Sequence, residues 1–332
     1  MTLIRILVAA LMLAPLSARA QVEHPKLTLS IGTFIISYLP LPVAEAKGFF
    51  KRQGLDVTIQ NFGAGGAKAL QSLIGGSSDV VVGFYDHTVQ MQAEGQDVRC
   101  VILLNRNPGI ALAVRDDLVA IKEPKDLAGK KIGITGPGSS TDFLLRYLLA
   151  RAGVKGDDVS IIGVGSGASV VATMERKSID AVMNYDPAIT MLERKQLAHV
   201  MVDGRTSEGS ARAFGGSYPA SCLYSTGAFI AKNPVTMQRL VNAFADALAY
   251  IEATPPGEIA AALPAEYGLG DPGLFADVIG KSKPMFPPKG TFDVKDLERA
   301  RAVLSEFNEK VRAAKIRLED TYTNRFVEAV GH

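Results

Sequence analysis

Lys26-Leu27-Thr28-Leu29-Ser30-Ile31-Gly32 opens a unit that runs through Gly63-Ala64-Gly65-Gly66 and closes on Asp79-Val80-Val81-Val82-Gly83-Phe84-Tyr85-Asp86. About a hundred residues later, Lys131-Ile132-Gly133-Ile134-Thr135-Gly136 opens a second unit. It runs through Gly165-Ser166-Gly167-Ala168 and closes on Asp180-Ala181-Val182-Met183-Asn184-Tyr185-Asp186. Each half reads strand, turn, amphipathic helix, strand, Gly-rich turn, helix, strand, then Tyr-Asp. Alternating strands and helices make an α/β chain. The Gly pairs and both Tyr-Asp ends fall in step, so the echo predicts two similar lobes facing each other across a cleft.

Working outward, strands are expected at 27–31, 55–60, 79–84 and 98–104 in the first lobe, with helices over 43–53 and 66–74. Segment Ile110 to Arg115 is apolar and reads as a strand crossing into the second lobe. That lobe continues with strands 131–135, 159–164, 180–184 and 199–203 and helices 140–152 and 168–176, the first of these with apolar residues at helical spacing. Gly204 to Ser221 is rich in Gly and Ser and reads as a loop. Leu223 to Ala231 reads as a strand returning to lobe one, and helices are expected over 234–253, 257–266, 272–281, 293–313 and 318–330. Lobe one is then 21–109 with 222–332, and lobe two is 110–221. The double passage near 106–111 and 217–223 forms a hinge.

Residues 1–20 read as a cleavable export signal: Arg5, an apolar run from Ile6 to Leu16, and Ala18-Arg19-Ala20 before a cut ahead of Gln21. About 310 residues remain, enough for two ordinary lobes. Apolar content of 47% against 21% charged residues describes a globular chain with a substantial core. Without Arg5 and Arg19, basic and acidic residues balance at 34 each, out of 36 and 34 in the whole chain. That balance argues against nucleic acid or an anionic membrane as partner.

The chain resembles the substrate-binding proteins of ABC importers for nitrate, sulfonates and taurine, and the related thiamine-pyrimidine-precursor proteins. The resemblance rests on Ala46-Lys47-Gly48-Phe49-Phe50 before Gly54-Leu55-Asp56-Val57, on Gly75-Gly76-Ser77-Ser78-Asp79-Val80, and on Asp126-Leu127-Ala128-Gly129-Lys130-Lys131-Ile132-Gly133. Asn184-Tyr185-Asp186-Pro187 and Asp320-Thr321-Tyr322-Thr323-Asn324-Arg325-Phe326-Val327 extend it. It implies a two-lobed type II periplasmic binding protein fold, each lobe a mostly parallel sheet flanked by helices. It further implies a periplasmic monomer that closes on a small-molecule ligand and delivers it to an ABC permease and ATPase complex. No cofactor is expected. The alternatives are a thiamine-pyrimidine-precursor binding protein, or an exported enzyme or sensor on the same fold.

Open α/β sheets bind ligands beyond the C-terminal ends of their strands. On lobe one this gives Phe34 to Tyr38, Gly63 to Gly66 (with Gly65) and Tyr85-Asp86-His87; on lobe two, Gly136 to Thr141 (with Ser139 and Ser140), Gly165 to Ser169 and Tyr185-Asp186-Pro187, with Phe214 and Tyr218 nearby. Several of these loops run into helix N-termini, where backbone N–H groups and the helix dipole favour an anion. Ser139 to Thr141 follow a Gly-Pro-Gly turn; one hydroxyl is expected to cap the helix, another to meet ligand. Tyr85 and Tyr185 are candidates for opposite aromatic walls. Asp86 and Asp186 are each placed to cap a helix. If either carboxylate faced the ligand, the ligand would carry an amine, amide or hydroxyl donor. Arg106 and Arg212 could pair with an anion near the hinge. The expected ligand is a small organic anion, a carboxylate or sulfonate with a planar or apolar body.

Enzyme readings find little support. His24, His87, His199 and His332 are scattered, and none stands at metal-ligand spacing to a second. Gly63-x-Gly65 and Gly136-x-Gly138 lack the rest of a dinucleotide fingerprint, and no Walker A lysine is present. Only His87 beside Asp86 resembles an acid–base pair, and the cysteine-rich motif of the pyrimidine synthases is missing. Cys100 and Cys222 are an even count in an oxidising compartment. They are nevertheless expected to be free, one early in its strand and the other at the hinge end of an antiparallel neighbour, beyond disulfide reach.

Overall fold

The computed structural model describes residues 21–331; the expected export signal at 1–20 lies outside the described residues. Ten strands form two five-stranded sheets. The first is built from β1 (Lys26–Ile31), β2 (Asp56–Asn61), β3 (Val80–Phe84), β4 (Val98–Leu103) and β10 (Ser221–Thr226), in the order β2-β1-β3-β10-β4. The second is built from β5 (Ile110–Arg115), β6 (Lys131–Ile134), β7 (Ser160–Gly163), β8 (Ala181–Tyr185) and β9 (Ala198–Asp203), in the order β7-β6-β8-β5-β9.

The two orders are the same order. β1 and β6 pair parallel with their neighbours on both sides. The fourth strand of each sheet is antiparallel to both neighbours and arrives directly from the other lobe. Each of these inserted strands also carries one register shift, at Leu223/Tyr224 in β10 and at Leu112/Ala113 in β5. Central strands are apolar without alternation: Val80, Val81, Val82 and Phe84, and Ile110 to Val114, are all buried. Such runs suit strands covered by helices on both faces.

Several expected elements are shorter. The helix expected over 43–53 is two helices, Pro40–Ala46 and Phe49–Arg52, broken where Gly48 adopts φ +66°. The expected strand 223–231 ends at Thr226, whose hydroxyl accepts from Phe229 N and starts the helix Gly227–Lys232. The Gly- and Ser-rich stretch read as a loop contains the helix Ser207–Phe214, capped by Thr206 and ended by left-handed Gly215. Asn308 divides the helix expected over 293–313 into Val294–Phe307 and Glu309–Ala313, capping the second.

The expectation of free thiols is overturned: Cys100 and Cys222 form a disulfide, with Cα atoms 6.0 Å apart. Their strands are neighbours, as expected, but each is only six residues long. In the antiparallel register Cys222 faces Leu103 and Tyr224 faces Cys100, and the shift between Leu223 and Tyr224 skips Val101. The cysteines are therefore diagonal neighbours within disulfide reach, not residues at remote ends.

Candidate functional site

The C-terminal ends of β1, β3, β6 and β8 face one another across the space between the sheets. A small cavity of about 10 Å³, the space of a single water molecule, lies there, lined from lobe one by Thr33, Ile35, Tyr38, Gly65, Gly66 and His87, and from lobe two by Thr135, Ser139, Ser140 and Tyr185. The lobes touch around it. Ser140 Oγ donates to Asp86 Oδ1 at 2.9 Å, Ile36 N donates to the Asp186 carbonyl at 3.2 Å, and the Thr33 and Ser166 hydroxyls meet at 3.0 Å.

Gly65 makes this approach possible, and Gly66 leaves room for His87 on the same lobe. A Cβ on Gly65 would stand 2.9 Å from Ser139 Cβ and 3.1 Å from Gly136 N, both across the cleft. A Cβ on Gly66 would meet His87 Cε1 at 3.0 Å. The Gly-rich turn after β2 therefore admits the opposite lobe, which a side chain would hold away.

Of the three hydroxyls after the Gly-Pro-Gly turn, only Ser140 crosses to the other lobe. Ser139 and Thr141 bond Thr135 Oγ1 at 2.9 and 2.8 Å and each other at 2.8 Å, and Ser139 also donates to the Gly136 carbonyl. None caps the helix Ser140–Arg151 through its side chain; Asp142 Oδ2 instead accepts from Gly138 N.

The two Tyr-Asp pairs diverge. Tyr185 lines the cavity and stands edge-on to Phe84 at 5.7 Å. Tyr85 turns away, its hydroxyl 2.7 Å from Thr321 Oγ1 and its ring against Phe292. The helix after β3 begins at Tyr85 itself, so Asp86 sits inside its first turn and caps nothing. Its carboxylate is fully buried, and burial pushes it up to about 7 against the opposing hydrogen bonds from Ser140 and the His87 backbone. Asp186 is tied down: its Oδ1 accepts from Thr190 N and Oγ1, both at 2.8 Å, and Arg205 Nη1 lies 3.3 Å from its Oδ2.

Phe34 packs on Tyr267 at 3.9 Å, outside the cavity wall. Tyr218 is buried within the second crossing segment, its N–H donating to the Arg106 carbonyl and its hydroxyl unpartnered. Arg106 borders a separate cavity beside Leu248 and Lys283, and exposed Arg212 pairs with Glu208. No Lys or Arg lines the interlobe cavity. The wall also holds Thr33 and Thr135, outside the loops expected from sequence, and His87, which those loops included without a binding role. His87 is held neutral by burial, pushed down to about 4, while the Gly138 carbonyl pulls the other way; its Nδ1 lies 3.2 Å from the Tyr224 hydroxyl. Its place after the Tyr-Asp end of a strand was the available signal.

Two like lobes, each inserting a strand into the other's sheet and meeting at strand ends, define the periplasmic-binding-protein class of fold. The family described as NMT1/THI5 like matches residues 36–258, and the chain belongs to it. A Bordetella bronchiseptica RB50 protein of known structure is 42% identical over 93% of this chain and 97% of its own, with a TM-score of 0.90. The periplasmic aliphatic sulphonate binding protein SsuA of Escherichia coli shares the fold at 20% identity, covering 89% of this chain and 96% of that one, with a TM-score of 0.64. YtlA of Bacillus subtilis strain 168, named as a binding protein, is 24% identical over 90% of this chain and 88% of its own. The 4-amino-5-hydroxymethyl-2-methylpyrimidine phosphate synthase of Aspergillus parasiticus is 24% identical over 87% of this chain and 83% of its own.

Proposed function

We propose that the protein is the periplasmic solute-binding receptor of an ABC importer, closing its two lobes on one small organic solute. The observation that carries this reading is a cavity walled by both lobes, with the Ser140–Asp86 hydrogen bond joining the lobes behind its wall. Binding there would draw the lobes together about the crossing segments near 106–111 and 217–223. Tyr38 and Tyr185, both edge-on to Phe84, offer apolar faces for a planar body. The Cys100–Cys222 disulfide supports an oxidising compartment.

For an anionic head group speak the helices Gly66–Ile74, Tyr85–Ala93 and Ser140–Arg151, which begin at the cleft. Against it stands Asp86, a buried carboxylate at the same place with no cation beside it. The test is to strip and refill the purified protein. A solute retained through gentle purification is identified by mass spectrometry, and adding it back should raise the melting temperature and shrink the radius of gyration in small-angle scattering. An unchanged radius with saturating solute would exclude lobe closure. The likeness to the synthase favours one second reading, an enzyme using the adjacent Asp86 and His87; recovery of the solute unaltered after prolonged incubation would remove it.

A further inference from the structure

Four buried side-chain atoms among the described residues find no partner among the protein's own groups: Asp86 Oδ2, His87 Nε2, Tyr218 Oη and Arg106 Nε. Buried polar atoms are rarely left so, and an unpaired carboxylate oxygen is the costliest kind. Arg106 stands at a different cavity. The other three gather at the cleft. Burial first, and then the Asp86 carboxylate, raises the hydroxyls of both Tyr38 and Tyr218, which places these groups within its field. Neither hydroxyl donates to Oδ2.

Asp86 stands one side chain behind the cavity wall. The group in front of it is Ser140, which belongs to the opposite lobe, so separating the lobes uncovers the carboxylate to an incoming solute. A carboxylate or sulfonate brought to this spot would meet a like charge and no cation. An N–H group would supply the missing donor, and the tyrosine faces accept either a planar ring or a cation.

Resting on the receptor reading above, we propose that Asp86 anchors the solute and that the solute is nitrogenous, presenting an N–H donor: a small amine, amidine or aminated ring, not an organic anion. The groups packed around Asp86 (His87 on its own helix, Tyr38, Tyr185, Tyr218, Tyr224 and Ser140 from the surrounding segments) are all uncharged near neutrality. Binding of a cationic donor therefore strengthens as pH rises through the Asp86 titration, and binding of an anion strengthens as pH falls through it.

The test uses one-ring probes on a common skeleton, benzylamine, benzamidine and benzamide against benzoate and benzenesulfonate, by thermal shift and titration calorimetry below and above that titration. The amine and amidine should bind, more tightly at the higher pH. Asp86→Asn should weaken them roughly 10- to 100-fold and flatten the pH dependence. Its melting curve checks folding, and Ser140→Ala, which keeps the carboxylate, should retain the pH dependence. Binding by benzoate or benzenesulfonate alone, tightening as pH falls, would overturn the inference and leave the receptor reading standing. So would unchanged amine binding in folded Asp86→Asn. No binding by any probe would count against the receptor reading itself and take the inference with it.

Discussion

Tyr85-Asp86 follows the last residue of β3, whereas Tyr185 is itself the last residue of β8, so the same dipeptide sits one residue out of step in matching sheets and its residues take opposite parts. In lobe one the tyrosine is turned away to Thr321 and the aspartate is buried, without a counter-charge, one oxygen unpartnered, and pushed up to about 7. In lobe two the tyrosine lines the cavity and the aspartate is locked to Thr190 and Arg205. Phe84 pairs with the first residue of β10 as Tyr185 pairs with the first residue of β5, so Tyr185 takes the place that Phe84 holds in lobe one, and Tyr85 opens the helix that follows. A repeat places backbone; it does not distribute side-chain work.

The largest effect should come from breaking the satisfied aspartate. Arg205 serves Asp186, Glu193 and Asp203 together. Arg205→Ala leaves a buried carboxylate without its counter-charge and should cost roughly 3–5 kcal/mol in urea unfolding. Destabilisation below about 1 kcal/mol, the range of an exposed ion pair, would make the contrast between the two aspartates one of degree only.

Next is the disulfide, which pins β4 to β10 in sheet one while the matching pair β9 and β5 is unlinked among the described residues. Replacing Cys100 and Cys222 together by Ser should cost about 2–4 kcal/mol. Thiol titration of denatured, unreduced protein should find no free thiol; two would remove the bond.

Smaller again is the difference between the Gly-rich turns. Gly65→Ala should leave the isolated lobes intact but hold them apart, weakening solute binding roughly tenfold, about 1.4 kcal/mol, and enlarging the bound-state radius of gyration. Gly167, its counterpart in lobe two, has φ +65°, so Gly167→Ala should instead lower the melting temperature. If both variants behave alike, closure does not depend on the backbone contact at Gly65.

The smallest effect concerns pH. Asp86 titrates at about 7 in the fold against 3.8 ordinarily, so its contribution to stability is whole below 3.8 and is lost as pH rises towards 7. His87 titrates at about 4 against 6.5, so its contribution is whole above 6.5 and is lost as pH falls towards 4. Between about 4 and 6.5 the two slopes oppose, and this pair should leave the melting temperature nearly flat. Asp86→Asn removes one slope, so that variant should melt lower as pH falls through this window. An equally flat profile in the variant would mean that His87 is not buried neutral.

The sequence by itself determined the α/β class, the doubled strand–helix unit and the two crossings, because apolar periodicity and turn residues act over a few neighbours. It also marked the cleft loops, since strand ends in such sheets are where helices begin. It could not tell which hydroxyl of Ser139, Ser140 and Thr141 would cross to the other lobe, because that depended on Thr135 taking the other two. Nor could it settle the cysteines, whose pairing turned on a single skipped residue at Val101. The state of Asp86 was decided furthest from its own neighbourhood in the chain. Burial by tyrosines from three distant segments, with an arginine supplied to Asp186 and none to Asp86, made one of two identical dipeptides structural and left the other unsatisfied. Electrostatic environment is set by what folding brings within a few ångströms, and only the tertiary structure holds that information.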